Sequence, residues 1–197
     1  MSMDQIVALM IAVSFAAGLN VYATVATLGL LGHTRWLELP ASLGLLTNWW
    51  VIGAALALFA VEFIADKITA LDLVWNALHT FIRVPVAALL AFQAASTLSP
   101  GEQLLATLAG GSIAFIAHGG KMAARAAVTP SPEPFSNIAL SLTGDGMAVF
   151  LTWLSTWKPY VAAGIAVVLV VIALVLIYLM WHAIRLVFRG RARKAGR

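Results

Sequence analysis

The chain has 197 residues, of which 62% are hydrophobic and only 10% are charged, whereas a soluble domain carries roughly 25% charged residues. This composition excludes an ordinary water-soluble fold and predicts an integral membrane protein. The net charge is +4 and there is no cysteine, which excludes disulfides, thiolate metal sites and cysteine nucleophiles.

Apolar segments of membrane-spanning length follow one another along the chain, since a spanning helix needs about 20 mainly apolar residues. They occupy approximately residues 5–31, 45–65, 71–98, 102–128, 136–157 and 159–188. Thr69 and Asp72 form a capping signal that predicts the start of the third segment. We therefore expect an all-α, polytopic transmembrane helix bundle with a single domain at residues 1–188.

Half of the twelve basic residues cluster at the end of the last apolar segment, with no acidic residue among them. Such a flank is typical of the cytoplasmic side of a membrane. We interpret residues 189–197 as a basic cytoplasmic tail that contacts anionic lipids rather than nucleic acid. Six spans would place both termini in the cytoplasm. The basic residues are Arg185, Arg189, Arg191, Arg193, Lys194 and Arg197.

The sequence leaves the number of spans at five to six and predicts one broken or re-entrant helix. Arg83-Val84-Pro85 lies in the middle of the third segment, where two half-helices or a re-entrant hairpin are the alternatives to one span. Gly144-Asp145-Gly146 interrupts the fifth segment, as an unwound ion-holding stretch or as a kink. A weak similarity between residues 14–17 and 114–117 suggests an internal repeat.

Ionisable residues recur at helical spacing within these apolar segments. Because charges are costly in a membrane, they are expected to face the bundle interior or a water-filled cavity, here a polar chamber that opens toward the cytoplasm. The alternative is that they pair with one another and fasten the helices together, which carries little functional information. The candidate substrate- or ion-binding residues are Glu62, Asp66, Lys67, Asp72, His79, Arg83, His118, Lys121, Arg125 and Asp145.

Several of these motifs resemble a known family. The stretch Glu62-Phe63-Ile64-Ala65-Asp66-Lys67, the stretch 79–83, the stretch 18–22 and the run from His118 to Arg125 are similar to the bacterial inner-membrane family called domain of unknown function 4126. The resemblance covers most of residues 10–155 and implies a location in the bacterial inner membrane, without implying an activity. The family has an acidic pair near residues 144–146, where this chain has Asp145 alone, which argues against a strict metal-ligand role there.

Three functions from different classes fit these observations. The first is a small transporter, channel or lipid flippase, in which acidic residues couple to protons or cations and Arg83, Lys121 and Arg125 bind an anionic small molecule or lipid headgroup. The second is an assembly subunit whose polar residues only pack helices. The third is a membrane enzyme acting on lipid phosphates through His79 and His118, although no catalytic motif is present.

The sequence assigns no catalytic residue, metal ligand or cofactor. The predicted partners are membrane lipids and the anionic molecule. A homodimer is a further expectation, because a small bundle often needs a second copy to enclose a pathway.

Overall fold

The computed structural model describes residues 2–36, 39–66, 69–128 and 134–195, and all regular secondary structure within them is helical. These residues form seven α-helices and one short 3-10 helix, Ala41–Thr47, joined by turns and short loops. The α-helices are α1 Met3–Leu19, α2 Val21–His33, α3 Trp49–Ala65, α4 Thr69–Ala94, α5 Pro100–Val128, α6 Pro134–Trp157 and α7 Pro159–Ala195.

The first predicted span is broken at Asn20, which corrects the expectation of one helix over residues 5–31. Asn20 has an extended backbone (φ −152°, ψ 104°) and is both the C-cap of α1 and the N-cap of α2. Its side-chain oxygen accepts a hydrogen bond from the backbone N–H of Ala23 over 2.9 Å. Asparagine ends one helix and begins another because its side chain competes with the backbone for such hydrogen bonds.

Beyond this break, α2 folds back beside α1 instead of continuing its axis. Leu9, Met10 and Val13 of α1 line the same small cavity as Leu28 of α2. The two helices therefore form a hairpin with its tip at Leu19 and Asn20. With 17 and 13 residues, its arms are about 25 Å and 20 Å long at 1.5 Å per residue, shorter than the roughly 30 Å hydrocarbon core of a bilayer.

The two breaks that the sequence suggested elsewhere are absent. α4, Thr69–Ala94, continues through Pro85 as one helix. Residues 67 and 68 and the side chain of Thr69 lie outside the described residues, so the cap expected at Thr69 stays a prediction. α6 continues through Gly144-Asp145-Gly146. Gly144 faces Lys121, and a Cβ added there would lie 3.6 Å from Cε of Lys121, an ordinary van der Waals distance.

Membrane-spanning potential is clearest at the C-terminal end of the chain. By length and composition, residues 138–157 of α6 and 159–186 of α7 can each cross a membrane, and the 3-10 helix with α3 adds a third candidate span bent by 63°. Shorter apolar helices lie at Met3–Leu19, Val21–His33 and Leu78–Ala94. This set of helices is compatible with a membrane protein. α7 continues as helix to Ala195, through most of the segment interpreted as a tail.

Small residues allow α1 to pack closely on α5. A Cβ added at Gly18 would lie 2.5 Å from the carbonyl oxygen of Ala114 and 2.7 Å from Cβ of Ala117. One added at Gly110 would lie 2.5 Å from Cβ of Ala91 and 2.9 Å from Oγ of Ser14. Close approach through small residues is typical of helix packing in membranes, and it fixes where the hairpin tip lies relative to α5.

The end of the bundle far from the hairpin tip has an apolar core. It combines the N-terminal part of α1 with the C-terminal parts of α2 and α4 and the start of α5. We call it the apolar end, and its buried residues include Ile6, Leu9, Met10, Val13, Leu28, Leu43, Leu90, Ala94 and Ala106.

Candidate functional site

Six ionisable side chains meet at the opposite end of the bundle, and each is almost completely buried. They come from the last turn of α3 and the residue after it, from α4, from α5 and from α6. Their exposed fractions range from 0% to 7%. We call this group the charged cluster, and it consists of Glu62, Asp66, Arg83, Lys121, Arg125 and Asp145.

Two arginine–carboxylate ion pairs form the framework of the charged cluster. Arg83 Nη2 donates to Glu62 Oε1, and Arg125 Nη2 donates to Asp66 Oδ2 over 2.8 Å. Ser141 of α6 donates to the same Asp66 oxygen over 2.7 Å. Breaking a buried pair leaves a charge without compensation, so these contacts tie α3, α4, α5 and α6 together.

Lys121 lies between the two ion pairs. Its Nζ is 3.9 Å from Glu62 Oε1 and 3.7 Å from Asp66 Oδ2, and it donates to the backbone carbonyl of Leu19 over 3.1 Å. Leu19 is the last residue of α1, where carbonyls lack partners within the helix and the helix dipole is negative. The hairpin tip therefore supplies a backbone oxygen to the ammonium group.

Asn20 connects the hairpin tip to Asp145 of α6. Its Nδ2 donates to Asp145 Oδ1 over 2.9 Å, and both side chains are buried. The oxygen of the same side chain caps α2. Asn20 therefore both marks the break in the first segment and bonds to the carboxylate on α6.

Histidines extend the network away from the charged cluster. Arg83 Nη1 lies 2.8 Å from His118 Nδ1, and a guanidinium can only donate, so Nδ1 accepts. His118 Nε2 then carries the hydrogen and donates to Thr80 Oγ1 over 2.8 Å. His79 Nε2 shares a hydrogen bond of 3.0 Å with the Tyr22 hydroxyl.

Three carboxylates of the cluster have the geometry of a cation site. One ligand oxygen from each of Glu62, Asp66 and Asp145 lies within 4.8 Å of the other two. Within the described part of the chain, each of these groups also keeps one buried oxygen that has no hydrogen-bond partner, namely Glu62 Oε2, Asp66 Oδ1 and Asp145 Oδ2. Buried carboxylate oxygens without donors are costly, and together they could serve as ligands for a hard cation.

Two grooves reach the charged cluster from different sides of α6. Asp145 borders a cleft of about 570 Å³ between α3 and α6, lined largely by aromatic residues such as Phe59 and Phe63. Lys121 borders a groove of about 300 Å³ among α1, α5, α6 and α7. The cluster therefore contains two internal ion pairs and is flanked by largely apolar space; a polar chamber open to the cytoplasm stays a prediction.

The structure brings most of the predicted site residues together. His118 contacts Arg83, and His79 lies one turn before Arg83 on α4 and bonds to Tyr22. The charged cluster itself consists of Glu62, Asp66, Arg83, Lys121, Arg125 and Asp145. Lys67 and the side chain of Asp72 lie outside the described residues.

Sequence reasoning missed the roles of Leu19, Asn20 and Ser141. Asn20 shares a helical stripe with Thr24 and Thr27, a signal that is too weak to indicate a helix break. The carbonyl of Leu19 has no sequence signal of its own, since any residue at that position would present one.

The fold and the site define an all-helical protein, with helices compatible with a membrane, that buries a balanced set of charges beside a broken helix. The chain belongs to the family described as Domain of unknown function (DUF4126), whose model matches residues 7–179. Neither the curated proteins nor the solved structures gave a match.

Proposed function

We propose that this protein is a small membrane transporter whose charged cluster couples transport to a proton or a cation. The observation that carries the proposal is the burial of six ionisable groups next to the tip of a broken helical hairpin. Charges within a membrane are expensive and commonly mark ion or proton pathways. Transporters often hold ions with backbone groups exposed where a helix is discontinuous.

In this proposal the membrane topology is five spans, α3 to α7, preceded by α1 and α2 as a re-entrant hairpin. The arms of that hairpin are shorter than the bilayer core, which favours a tip buried within the membrane. The C-terminal arginines then lie in the cytoplasm of a bacterial inner membrane, in agreement with the positive-inside rule. The N-terminus lies on the outer side, which replaces the expectation of two cytoplasmic termini.

The absence of cysteine makes this topology testable by cysteine labelling. Single cysteines at Ser2 and Thr34 should react from the outer side of sealed vesicles, and one at Ala195 should react from the inner side. Labelling of Ser2→Cys and Thr34→Cys from opposite sides would instead restore a single first span.

The contacts give less support to an anionic substrate than to a cation. Arg83 and Arg125 are each held by a carboxylate of the chain itself. An anion would have to be drawn to Lys121, whose groove is otherwise largely apolar. If an anionic lipid headgroup or small molecule binds at this position, Lys121→Gln should abolish its binding while the protein still purifies as a folded species.

A purely structural role is the second candidate, and the internal pairing of the charged cluster favours it. Both arginines have carboxylate partners, and the fixed charges balance with three of each sign. In this alternative the cluster only holds helices together, within one chain or between two copies, and nothing moves through it.

Reconstitution into liposomes separates the two candidates. A transporter should move protons or Na⁺ down an imposed gradient faster than empty vesicles, followed with a trapped pH or sodium indicator. Asp145→Asn should abolish this flux because it removes a charge, while its amide oxygen can still accept from Asn20. Lipid scrambling and phosphate release, measured on the same vesicles, test the flippase and enzyme alternatives.

The matched control is Glu102→Gln, since Glu102 is an exposed carboxylate bonded to Ser99 at the start of α5. Its flux should equal that of the wild type. If the wild-type protein gives no flux and Asp145→Asn changes only thermal stability, the structural role replaces the transporter.

A further inference from the structure

The ammonium of Lys121 occupies a position built for a cation without being tightly bonded to the carboxylates around it. Its distances to Glu62 Oε1 and Asp66 Oδ2 are 3.9 Å and 3.7 Å, beyond normal hydrogen-bond length. Among the described residues, its close contact is the carbonyl of Leu19 at 3.1 Å. The side chain passes Gly144 of α6, where an added Cβ would lie 3.6 Å from Lys121 Cε, an ordinary van der Waals distance.

The charges around Lys121 identify which kind of cation could replace it. Arg83 compensates Glu62, and Arg125 compensates Asp66. Among the residues that the structure describes, Asp145 receives a hydrogen bond from the neutral Asn20 amide. Counted over the described charged cluster, removal of the ammonium leaves one net negative charge, so a monovalent cation restores neutrality and a divalent cation does not.

The ligand atoms in this place also suit a small hard cation. Three carboxylate oxygens lie within 4.8 Å of one another, each carboxylate retains a buried oxygen without a partner, and the end of α1 adds a backbone carbonyl. Carboxylate and carbonyl oxygens are the ligands that hard cations select. Exposed carbonyls at a half-helix C-terminus bind Na⁺ in other transporters.

We propose that Glu62, Asp66, Asp145 and the Leu19 carbonyl form a monovalent-cation site, for which the Lys121 ammonium and a metal cation such as Na⁺ compete. Lys121 is then a tethered substitute for the cation and not an anion-binding group. This inference deepens the proposed function, and the role of the site in transport rests on that proposal. Binding at the site can nevertheless be measured without any transport.

Lys121→Met tests the site directly, because it removes the ammonium and keeps an apolar stem of similar length. The probe is Na⁺ alone, added as NaCl to the purified protein in detergent and compared with equal choline chloride. At saturating Na⁺ we expect the Tm of the variant to rise by roughly 5–10 °C above its value in choline chloride. The wild type should show a clearly smaller difference, since its own ammonium competes.

The double variant Lys121→Met/Asp145→Asn is the matched control. It has no net charge to compensate, so Na⁺ should no longer raise its Tm above that in choline chloride. A Tm response that is equal for Na⁺ and choline in Lys121→Met, or one that persists in the double variant, would overturn the proposal. A rise with Ca²⁺ larger than that with Na⁺ would contradict the charge argument.

A measurement on the wild type keeps the proposal testable if Lys121→Met does not fold. A bound cation displaces the ammonium, so a small amine-acylating reagent should modify Lys121 several-fold faster in NaCl than in choline chloride. Mass spectrometry reports the site, and exposed Lys158 serves as the internal standard. Equal labelling of Lys121 in both salts would reject the competition.

The two proposals can fail separately. Specific Na⁺ binding without flux in liposomes would leave the cation site intact and remove the transporter. Flux that depends on Asp145, without a Na⁺ response in Lys121→Met, would keep the transporter and remove this site.

Discussion

The two ends of the bundle are stabilised in different ways. At the apolar end, side chains such as Leu9, Leu28 and Leu90 pack against one another through apolar contacts. At the other end, the charged cluster is held by specific pairs, including Arg83 with Glu62 and Arg125 with Asp66. α4 and α5 contribute side chains to both ends, so on these two helices the difference arises from which residues each presents along its length.

The two ends should therefore differ in how well they tolerate amino-acid substitutions. A packed apolar core accepts other side chains of similar volume. A buried charge accepts few replacements, because its partner remains buried when it is removed. The charged end should therefore be the more sensitive region, and the following substitutions measure by how much.

Arg83→Met should have the largest effect. Arg83 is fully buried, and its loss strands the buried carboxylate of Glu62. We expect a loss of about 3–5 kcal/mol of unfolding free energy, measured by denaturant unfolding in detergent. The double variant Arg83→Met/Glu62→Gln removes both charges and should recover part of that loss. Equal stability of the single and double variants would show that the ion pair is not what matters.

Leu28→Ala tests the apolar end. Leu28 is 1% exposed within the apolar core, and large-to-small changes in cores cost about 2–5 kcal/mol. The effect should lie at the low end of this range, since lipid tails are as apolar as leucine and only packing is lost. Leu30→Ala on the same helix, at 37% exposure, should be nearly neutral. A loss for Leu28→Ala that matches Arg83→Met would remove the contrast between the ends.

Gly18→Ala tests the contact that positions the hairpin tip at the charged end. The added methyl group would lie 2.5 Å from the Ala114 carbonyl oxygen, and relieving such overpacking costs about 1–3 kcal/mol. We expect a lower Tm and weakened flux, because the Leu19 carbonyl shifts with α1. Gly164→Ala meets nothing within 4 Å and should change neither quantity.

Asn20→Ala should have the smallest effect of the four on stability. It removes the cap of α2, worth about 0.5–2 kcal/mol, together with the hydrogen bond to Asp145. Asn48→Ala removes a comparable cap from the exposed start of α3 without touching the charged end. The Tm difference between the two variants isolates the bond to Asp145, and equal losses would mean that this bond contributes nothing.

The sequence predicts the charged end better than the path of the chain that leads to it. Helical spacing of Glu62 with Asp66, and of His118 with Lys121 and Arg125, requires each set to share a face, and burial of charge requires the faces to meet. The hairpin at Asn20 could not be predicted in this way, because an apolar helix that turns back has the same composition as one that continues. Its direction follows from packing between residues far apart in sequence, such as Leu28 with Leu9.

The helix breaks predicted at Pro85 and Gly144 are absent for a related reason. Proline and glycine lower the intrinsic stability of a helix, but neighbouring helices can outweigh that preference. Gly144 lies against Lys121 of α5, a contact between helices that local sequence does not reveal.

The order of the charges along the chain has a consequence for biosynthesis. A ribosome releases α3 with Glu62 and Asp66 first, then Arg83 on α4, then Lys121 and Arg125 on α5, and only afterwards Asp145 on α6. A nascent chain therefore passes from an acidic excess to a basic excess, and its charges balance only when α6 emerges. If the chain inserts into a membrane as proposed, the early helices carry uncompensated charge until that moment, and a chain truncated before α6 should remain associated with the insertion machinery or be degraded.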